Sequence, residues 1–373
     1  MKKKKVFFIA NSPDFLKIYL LKHIDFLSRK FELYVYCKNA DQLKGFVSND
    51  AILISINFER GLSFINDIRS FFKILSFFLK IKPNLSISFT PKVGLVVAIA
   101  AFITRVPKRI HWFTGQVWVW ESGLKKFLLK LSDRLIYILC NSVLVDSRPQ
   151  KKFLIIEKVI SNYKSTVLHK GSIGGVDMKK FKFNKRIRIK LRKLFLISHN
   201  TYVFLFLGRV NKDKGLPELI KAFKLIQQAH DVRLIIVGPI EDISLKKLFK
   251  DNEKILYFNF TKHPEKWFSL SDTLCLPSHR EGFGTVVIEA ASCGIPTICS
   301  NIYGLSDSVI HKKTGLFHKV GSVSDIKKKL IYMINNKRLI KKYGELAKKR
   351  VKKDFDQRLI IKEFKKFINN LIL

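Results

Sequence analysis

The chain has 373 residues and carries 70 Lys plus Arg against 29 Asp plus Glu, a formal charge of +41, with hydrophobic residues at 47%. That much apolar mass excludes a disordered chain, and the length exceeds one ordinary core, so two domains are expected. The charge leaves three function classes to separate: a nucleic-acid binder, a protein working at an anionic membrane, and an enzyme handling phosphorylated substrates.

The amino terminus, MKKKKVFFIAN, imitates a signal peptide, but its apolar core runs only from Val6 to Ala10 before Asn11, Pro13 and Asp14. A secretory segment needs a longer one, so a first β-strand is the better reading. A helix is expected over Phe15 to Ser28, and strands over Phe31 to Cys37 and Ile52 to Asn57. Ser63 to Lys80 places Phe64, Ile68, Phe71, Phe72, Leu75, Phe78 and Leu79 at helical spacing. Leu85 to Phe89 reads as a strand, Gly94 to Phe102 as a buried helix ended by Val106-Pro107, and Arg109 to Phe113 as a strand. A helix over Gly123 to Cys140 and a strand over Ser142 to Asp146 follow. The longest apolar run, Val93 to Ile103, is well short of the roughly 20 residues that span a bilayer, so no transmembrane helix is expected.

Lys179 to Asn200 is strongly basic and marks a linker and the first helix of a second domain. A new series then begins. Strands are expected over Tyr202 to Leu207, Val232 to Val237, Ile255 to Phe260, Thr273 to Pro277 and Pro296 to Ser300. Helices are expected over Leu216 to Ala229, Thr285 to Cys293, Val323 to Asn335 and much of Leu339 to Leu373. Strands separated by helices imply an α/β fold with parallel sheets covered on both faces, and two such series imply two doubly wound, Rossmann-like domains. Ligands in such sheets lie beyond the carboxyl ends of the strands, so the cleft between the domains is the expected site. The boundaries read as 1–180, 181–350 and a last helix over 351–373.

Charge is spread evenly, with 33 basic and 12 acidic residues over 1–185 and 37 and 17 over 186–373. It is not a basic tail, and no helix-turn-helix, RNP-like or zinc-finger pattern accompanies it, so no nucleic-acid partner is expected. Cys37, Cys140, Cys275, Cys293 and Cys299 are odd in number and lack CxxC spacing, which argues against a disulfide framework and for a reducing cytoplasm.

Two segments carry chemistry. In Phe206 to Gly215 (FLGRVNKDKG) a strand gives way at Gly208 to a loop bearing Arg209 and Lys214 before a helix. Two cations there suit a diphosphate, Arg as a planar fork and Lys as a point charge. In Pro277 to Pro296 (PSHREGFGTVVIEAASCGIP) Glu281 lies on a loop and Glu289 on the following helix. Gly282 and Gly284 admit close backbone approach, and the amides of Gly284, Thr285 and Val286 form an anion site. Eight helical residues span about 12 Å, roughly the distance from a sugar to a ribose across a diphosphate. That spacing is too wide for a glycosidase carboxylate pair, at about 5–9.5 Å.

EGFGTVVIE, preceded by GRVNKDKG and IIVGP (Ile235 to Pro239), resembles the E-x7-E signature of retaining family 4 glycosyltransferases of the GT-B fold. The resemblance covers most of residues 200–320. It implies that Arg209 and Lys214 hold the donor diphosphate beside Gly208, and that Glu281 contacts the donor sugar. It also implies that amides of Phe283, Gly284 and Thr285 hold sugar or phosphate groups and that Glu289 binds ribose hydroxyls. In the amino half the family's Gly-rich loop is replaced by Asn11-Ser12-Pro13-Asp14, where Ser12 is the donor-binding candidate. His111, with Thr114-Gly115 after it, is the candidate for the His that the family places near the donor sugar. His169 to Phe181 (HKGSIGGVDMKKF) resembles the family's interdomain connection, and the last helix is expected to cross back onto the first domain.

The implied reaction moves a sugar from a nucleotide-diphosphate sugar, UDP being the commonest, with retention. No cofactor and no metal are expected, the DxD at Asp354 and Asp356 being read as a solvated helix face. Relatives of this kind act on polyprenyl-diphosphate carriers in bacterial O-antigen and capsule synthesis. The expected partners are therefore a lipid-linked glycan acceptor and the anionic inner face of the cytoplasmic membrane, where the enzyme would be peripheral. Arg69 to Lys82 (RSFFKILSFFLKIK) suits that surface. Another GT-B enzyme, such as a sugar-nucleotide epimerase or a phosphorylase, is the alternative.

Overall fold

The computed structural model describes residues 3–56 and 64–372. Asn57 and Ser63, at the edges of two expected elements, lie outside the described residues. The chain divides into two units: Met1–Gly175 with Arg358–Leu373, and Val176–Gln357. The sequence placed these boundaries at 180 and 350.

In the first unit the elements run β1 (Lys5–Ile9), α1 (Pro13–Phe15), α2 (Leu21–Lys30), β2 (Glu32–Cys37), β3 (Ala51–Ser55), α3 (Phe64–Ile81), β4 (Leu85–Phe89), α4 (Pro91–Ile103), β5 (Lys108–Phe113), α5 (Gly123–Leu139), β6 (Ser142–Val145), α6 (Arg148–Ile156) and β7 (Ser165–Thr166). A π-helical turn, Leu16–Leu20, joins α1 to α2. The seven strands are all parallel, in the order β3-β2-β1-β4-β5-β6-β7.

The second unit runs α7 (Lys185–Leu194), β8 (Tyr202–Leu207), α8 (Leu216–Lys224), β9 (Val232–Val237), β10 (Ile255–Phe258), α9 (Pro264–Leu270), β11 (Thr273–Leu276), α10 (Thr285–Ser292), β12 (Thr297–Ser300), α11 (Tyr303–Ser306), β13 (Gly315–His318), α12 (Val323–Asn335) and α13 (Lys337–Asp354). Its six strands are parallel in the order β10-β9-β8-β11-β12-β13. Both sheets reverse strand order once, at β1/β4 and at β8/β11, the point where open α/β sheets leave a crevice for ligands. The central strands are apolar on both faces because helices cover both, which is why they read as continuous runs rather than alternations. The five cysteines are buried and unpaired.

The last helix, α14 (Gln357–Ile372), belongs to the first unit. Ile360, Phe364, Ile368 and Ile372, at helical spacing, enter its core. Phe364 lies 4.5 Å from the His23 ring and stacks on Trp112 at 6.2 Å. The sequence suggested one long helix to the end of the chain; the structure breaks it at Phe355-Asp356. Phe355 turns into the second unit's core against Phe283, 5.2 Å away, while Phe364 turns into the first. The break also corrects the DxD reading. Asp354 ends α13, paired with Arg350 at 3.6 Å, and Asp356 is buried with its backbone bridged to Val176, so the two do not share a solvated face.

Truncating Phe364 to Ala should cost about 3–5 kcal/mol, because a large buried ring leaves a cavity. Urea unfolding should show this as an early transition of the first unit.

Candidate functional site

Arg209, Lys214, Glu281 and Glu289 lie on the segments that follow β8 and β11, the strands at the switch point of the second sheet. β8 ends at Leu207, and the Gly208 amide bonds the Val237 carbonyl at 2.9 Å, holding the loops after β8 and β9 side by side. Val210 and Ile240 bridge those loops further. The Arg209 guanidinium there donates to both carboxylate oxygens of Glu241, at 2.9 and 2.6 Å, and Asn211 Nδ2 donates to the same carboxylate at 2.9 Å. Asn211 Oδ1 also accepts from the Lys214 amide at 3.1 Å, capping the short 3-10 turn over Lys212–Lys214.

Gly215 follows, with φ +66°, and a Cβ there would lie 2.1 Å from the Pro277 carbonyl oxygen. Only Gly permits both that conformation and that approach. The loop after β8 therefore rests directly on the loop after β11, which brings Lys214 Nζ to 2.5 Å from Glu281 Oε1. Ser278 Oγ donates to the same oxygen at 2.8 Å. Beside them Arg280 grips Asp213 at 2.7 and 3.0 Å, and the His279 amide donates to the Asp213 carbonyl. His279 Nε2 lies 3.1 Å from Glu218 on α8.

Gly284, at φ +68°, starts α10. The first amides of that helix lack intrahelical partners, which makes an anion-favouring end. The Phe283 side chain is buried against Phe355, so its amide rather than its ring is available to a ligand. About one turn into that helix, Glu289 is half-buried. Burial pushes its carboxyl up to about 8, with Lys180 opposing the rise and Glu265 adding to it. Cations for a diphosphate, a helix end for an anion, and a carboxylate at each end for hydroxyls thus occupy one sheet edge.

The remaining candidates fall in the first unit. Ser12 follows β1 and caps α1, accepting from the Phe15 amide at 3.4 Å. His111 lies inside β5, as the strand expected over Arg109 to Phe113 has it, 1% exposed, with Nδ1 2.9 Å from Ser88 Oγ and its ring 4.6 Å from Phe113. A Cβ on Gly94 would lie 2.3 Å from that ring, so α4 seals it. Burial holds the imidazole neutral, its pKa lowered to about 3. The structure makes it a core residue. Thr114 and Gly115, just past the strand, are the half-exposed ones.

Glu241, Asp213 and Arg280 escaped the sequence reading, since isolated charges on loops have no distinctive spacing. So did Thr90, after β4 at the other switch point, with φ +64° and a buried hydroxyl. Such a backbone is strained for a β-branched residue; the strand-to-Pro91 junction was the available signal. Among the described residues no group of three or more His, Cys, Asp or Glu side chains is placed to hold a metal ion.

The two parallel, doubly wound sheets define an α/β protein of the GT-B class. Residues 188–350 match the family model described as Glycosyl transferases group 1, so this stretch is a glycosyltransferase group 1 domain. The chain is 29% identical over 380 aligned residues to the capsular polysaccharide biosynthesis glycosyltransferase CapM of Staphylococcus aureus, covering 100% of this chain and 98% of the relative. It is 24% identical to an Escherichia coli UDP-Gal:alpha-D-GlcNAc-diphosphoundecaprenol alpha-1,3-galactosyltransferase, over 83% of this chain and 82% of that one. Among solved structures, HepE of Anabaena in complex with UDP-glucose shares the fold at a TM-score of 0.80 and 17% identity, over 98% of this chain and 99% of that one.

Gly215→Ala should separate the two loops and remove the Lys214–Glu281 contact. Thermal stabilisation by a nucleoside diphosphate should then vanish, read as the shift in melting temperature with and without UDP.

Proposed function

We propose that the protein is a retaining, metal-independent glycosyltransferase. It would move a sugar from a nucleotide-diphosphate sugar, UDP by first choice, to a polyprenyl-diphosphate-linked glycan during synthesis of a bacterial surface polysaccharide such as a capsule or O-antigen. One observation carries the reading: Arg209, Lys214 and Glu281 converge at the β8/β11 switch point, with the α10 N-terminus opening beside them. The E. coli relative, which acts on a diphosphoundecaprenol-linked sugar, supports the acceptor class, and the S. aureus relative supports the capsule setting.

The chemistry follows from these groups. The donor's diphosphate replaces Glu241 on Arg209 and shares Lys214, while α10 amides take a further oxygen. As the bond from C1 to the β-phosphate oxygen lengthens, charge grows on the diphosphate, and preorganised cations stabilise that state more than the ground state. The sugar becomes oxocarbenium-like. The acceptor hydroxyl oxygen bonds C1 from the face the phosphate leaves, and its proton passes to the departing phosphate oxygen. Glu281 holds sugar hydroxyls, and Glu289 those of the ribose. The setting is the inner face of the cytoplasmic membrane, where such an acceptor is displayed.

Arg209→Ala or Glu281→Gln should lower turnover by about 10²-fold or more, the scale of losing one charge-stabilising group, while melting temperature stays within a few degrees. Wild-type turnover in either variant, measured with labelled nucleotide sugar, would sink the assignment. The raised Glu289 carboxyl sets a pH dependence. Its neutral form, populated below about 8, is the poorer acceptor for ribose hydroxyls. UDP affinity by calorimetry should therefore increase as pH rises through that value, and Glu289→Gln should flatten the profile.

A further inference from the structure

The most unusual surface belongs to the first unit, on the helices covering one face of its sheet. α5 exposes Leu124, Phe127, Leu128, Leu131, Leu135 and Ile138, each between 37% and 72% exposed. At 100° per residue these six fall within an arc of about 100°, a continuous apolar stripe about 21 Å long. The opposite side of the helix meets the unit's core through Ile136, Leu129 and Leu139, so the outer stripe is not part of that packing. α4 touches both α5 and α3. It adds exposed Phe102 and Ile103, and α3 adds Ile65, Ile68, Phe72 and Leu79. Trp120, just before α5, is half-exposed.

Scattered exposed apolar residues need no explanation, but an ordered face of this size does. Charge decides what covers it. Residues 64–139 hold twelve Lys and Arg but only three carboxylates, Asp67, Glu121 and Asp133. All three are engaged: Asp67 with Lys92, Glu121 with Lys125, and Asp133, which is buried, with Trp118 Nε1. A second copy would set the same excess of twelve cations over three carboxylates against this face. No helix among the described residues is long and apolar enough to cross a membrane. An apolar stripe rimmed by cations is the pattern of a helix lying in the headgroup layer.

We propose that the α3–α4–α5 face docks on an anionic lipid surface, with the α5 stripe entering the acyl boundary and basic residues such as Arg69, Lys80 and Arg105 meeting the headgroups. This deepens the membrane setting proposed above and rests on it. It also assigns the main contact to α5, where sequence alone pointed to α3.

The test is co-sedimentation of the full chain with vesicles of equimolar phosphatidylglycerol and phosphatidylcholine, against phosphatidylcholine alone. The wild type should bind the anionic vesicles, less so at high salt. Leu128→Glu/Leu131→Glu/Leu135→Glu should lower partitioning by roughly tenfold or more, since three apolar groups are removed from the boundary. These positions are exposed, so melting temperature should hold. In a separate variant, Leu128→Trp, emission should shift to the blue on vesicles. Absence of wild-type binding, unchanged binding of the triple variant, or an unmoved Trp emission each overturns the assignment. Self-association through this face without vesicle binding does the same and assigns it to a second copy. UDP-induced stabilisation, read on the same samples, reports separately on the donor reading.

Discussion

The approach of Gly215 to the Pro277 carbonyl is the constraint on which the site depends. β8 and β11 are neighbours in the sheet, but their following loops lead to different helices. Without a side chain at 215 the two loops touch, and that contact places a cation from one against a carboxylate from the other. Asp213 repeats the arrangement one step away, accepting Arg280 through its side chain and the His279 amide through its carbonyl. The donor site is therefore two loops fastened along their length, on the rigid ends of parallel strands, rather than a set of independently mobile side chains.

The cations of that site are all paired in the absence of ligand, and the pairs differ in a way that bears on function. Arg209 and Glu241 are 40% and 30% exposed, a surface pair of the kind worth about 0–1 kcal/mol. Exchange of Glu241 for a diphosphate, with more charge and more acceptor oxygens, is inexpensive. Lys214 and Glu281 are more enclosed, and Ser278 fixes the carboxylate as well. That pair is suited to persist and to hold Glu281 at a set orientation. In the proposed reaction one cation would be released to the phosphate while the other kept the carboxylate in place.

The second unit was the more legible half of the sequence. Its strands are apolar runs bounded by loops, and GRVNKDKG and EGFGTVVIE sit where a switch point needs a phosphate loop and a helix start. What escaped was set by tertiary packing. Ser165–Thr166 and Gly315–His318 are too short to show a period. The partners Glu241 and Asp213 have no spacing signal. His111 looked available because a strand buried on both faces shows no alternation to say which side chains are enclosed. The helix break at Phe355 had a signal, since Phe355 and Phe364 are nine residues apart and would face opposite sides of one continuous helix. Only the division of the core between two units shows that they point into different interiors.

The +41 charge, which first suggested nucleic acid, divides into two physical roles. In the second unit, at the sheet edge, cations meet carboxylates one to one, and the local field is poised for an anion that displaces one partner. In the first unit, across α3 to α5, cations greatly outnumber carboxylates and flank apolar side chains that the fold leaves uncovered. A basic surface without that stripe would bind any polyanion weakly and in a salt-sensitive way. A stripe without the charge would be an aggregation liability. Together they favour one kind of partner, a surface both anionic and apolar beneath its headgroups. That is also where a lipid-linked diphosphate acceptor would be found.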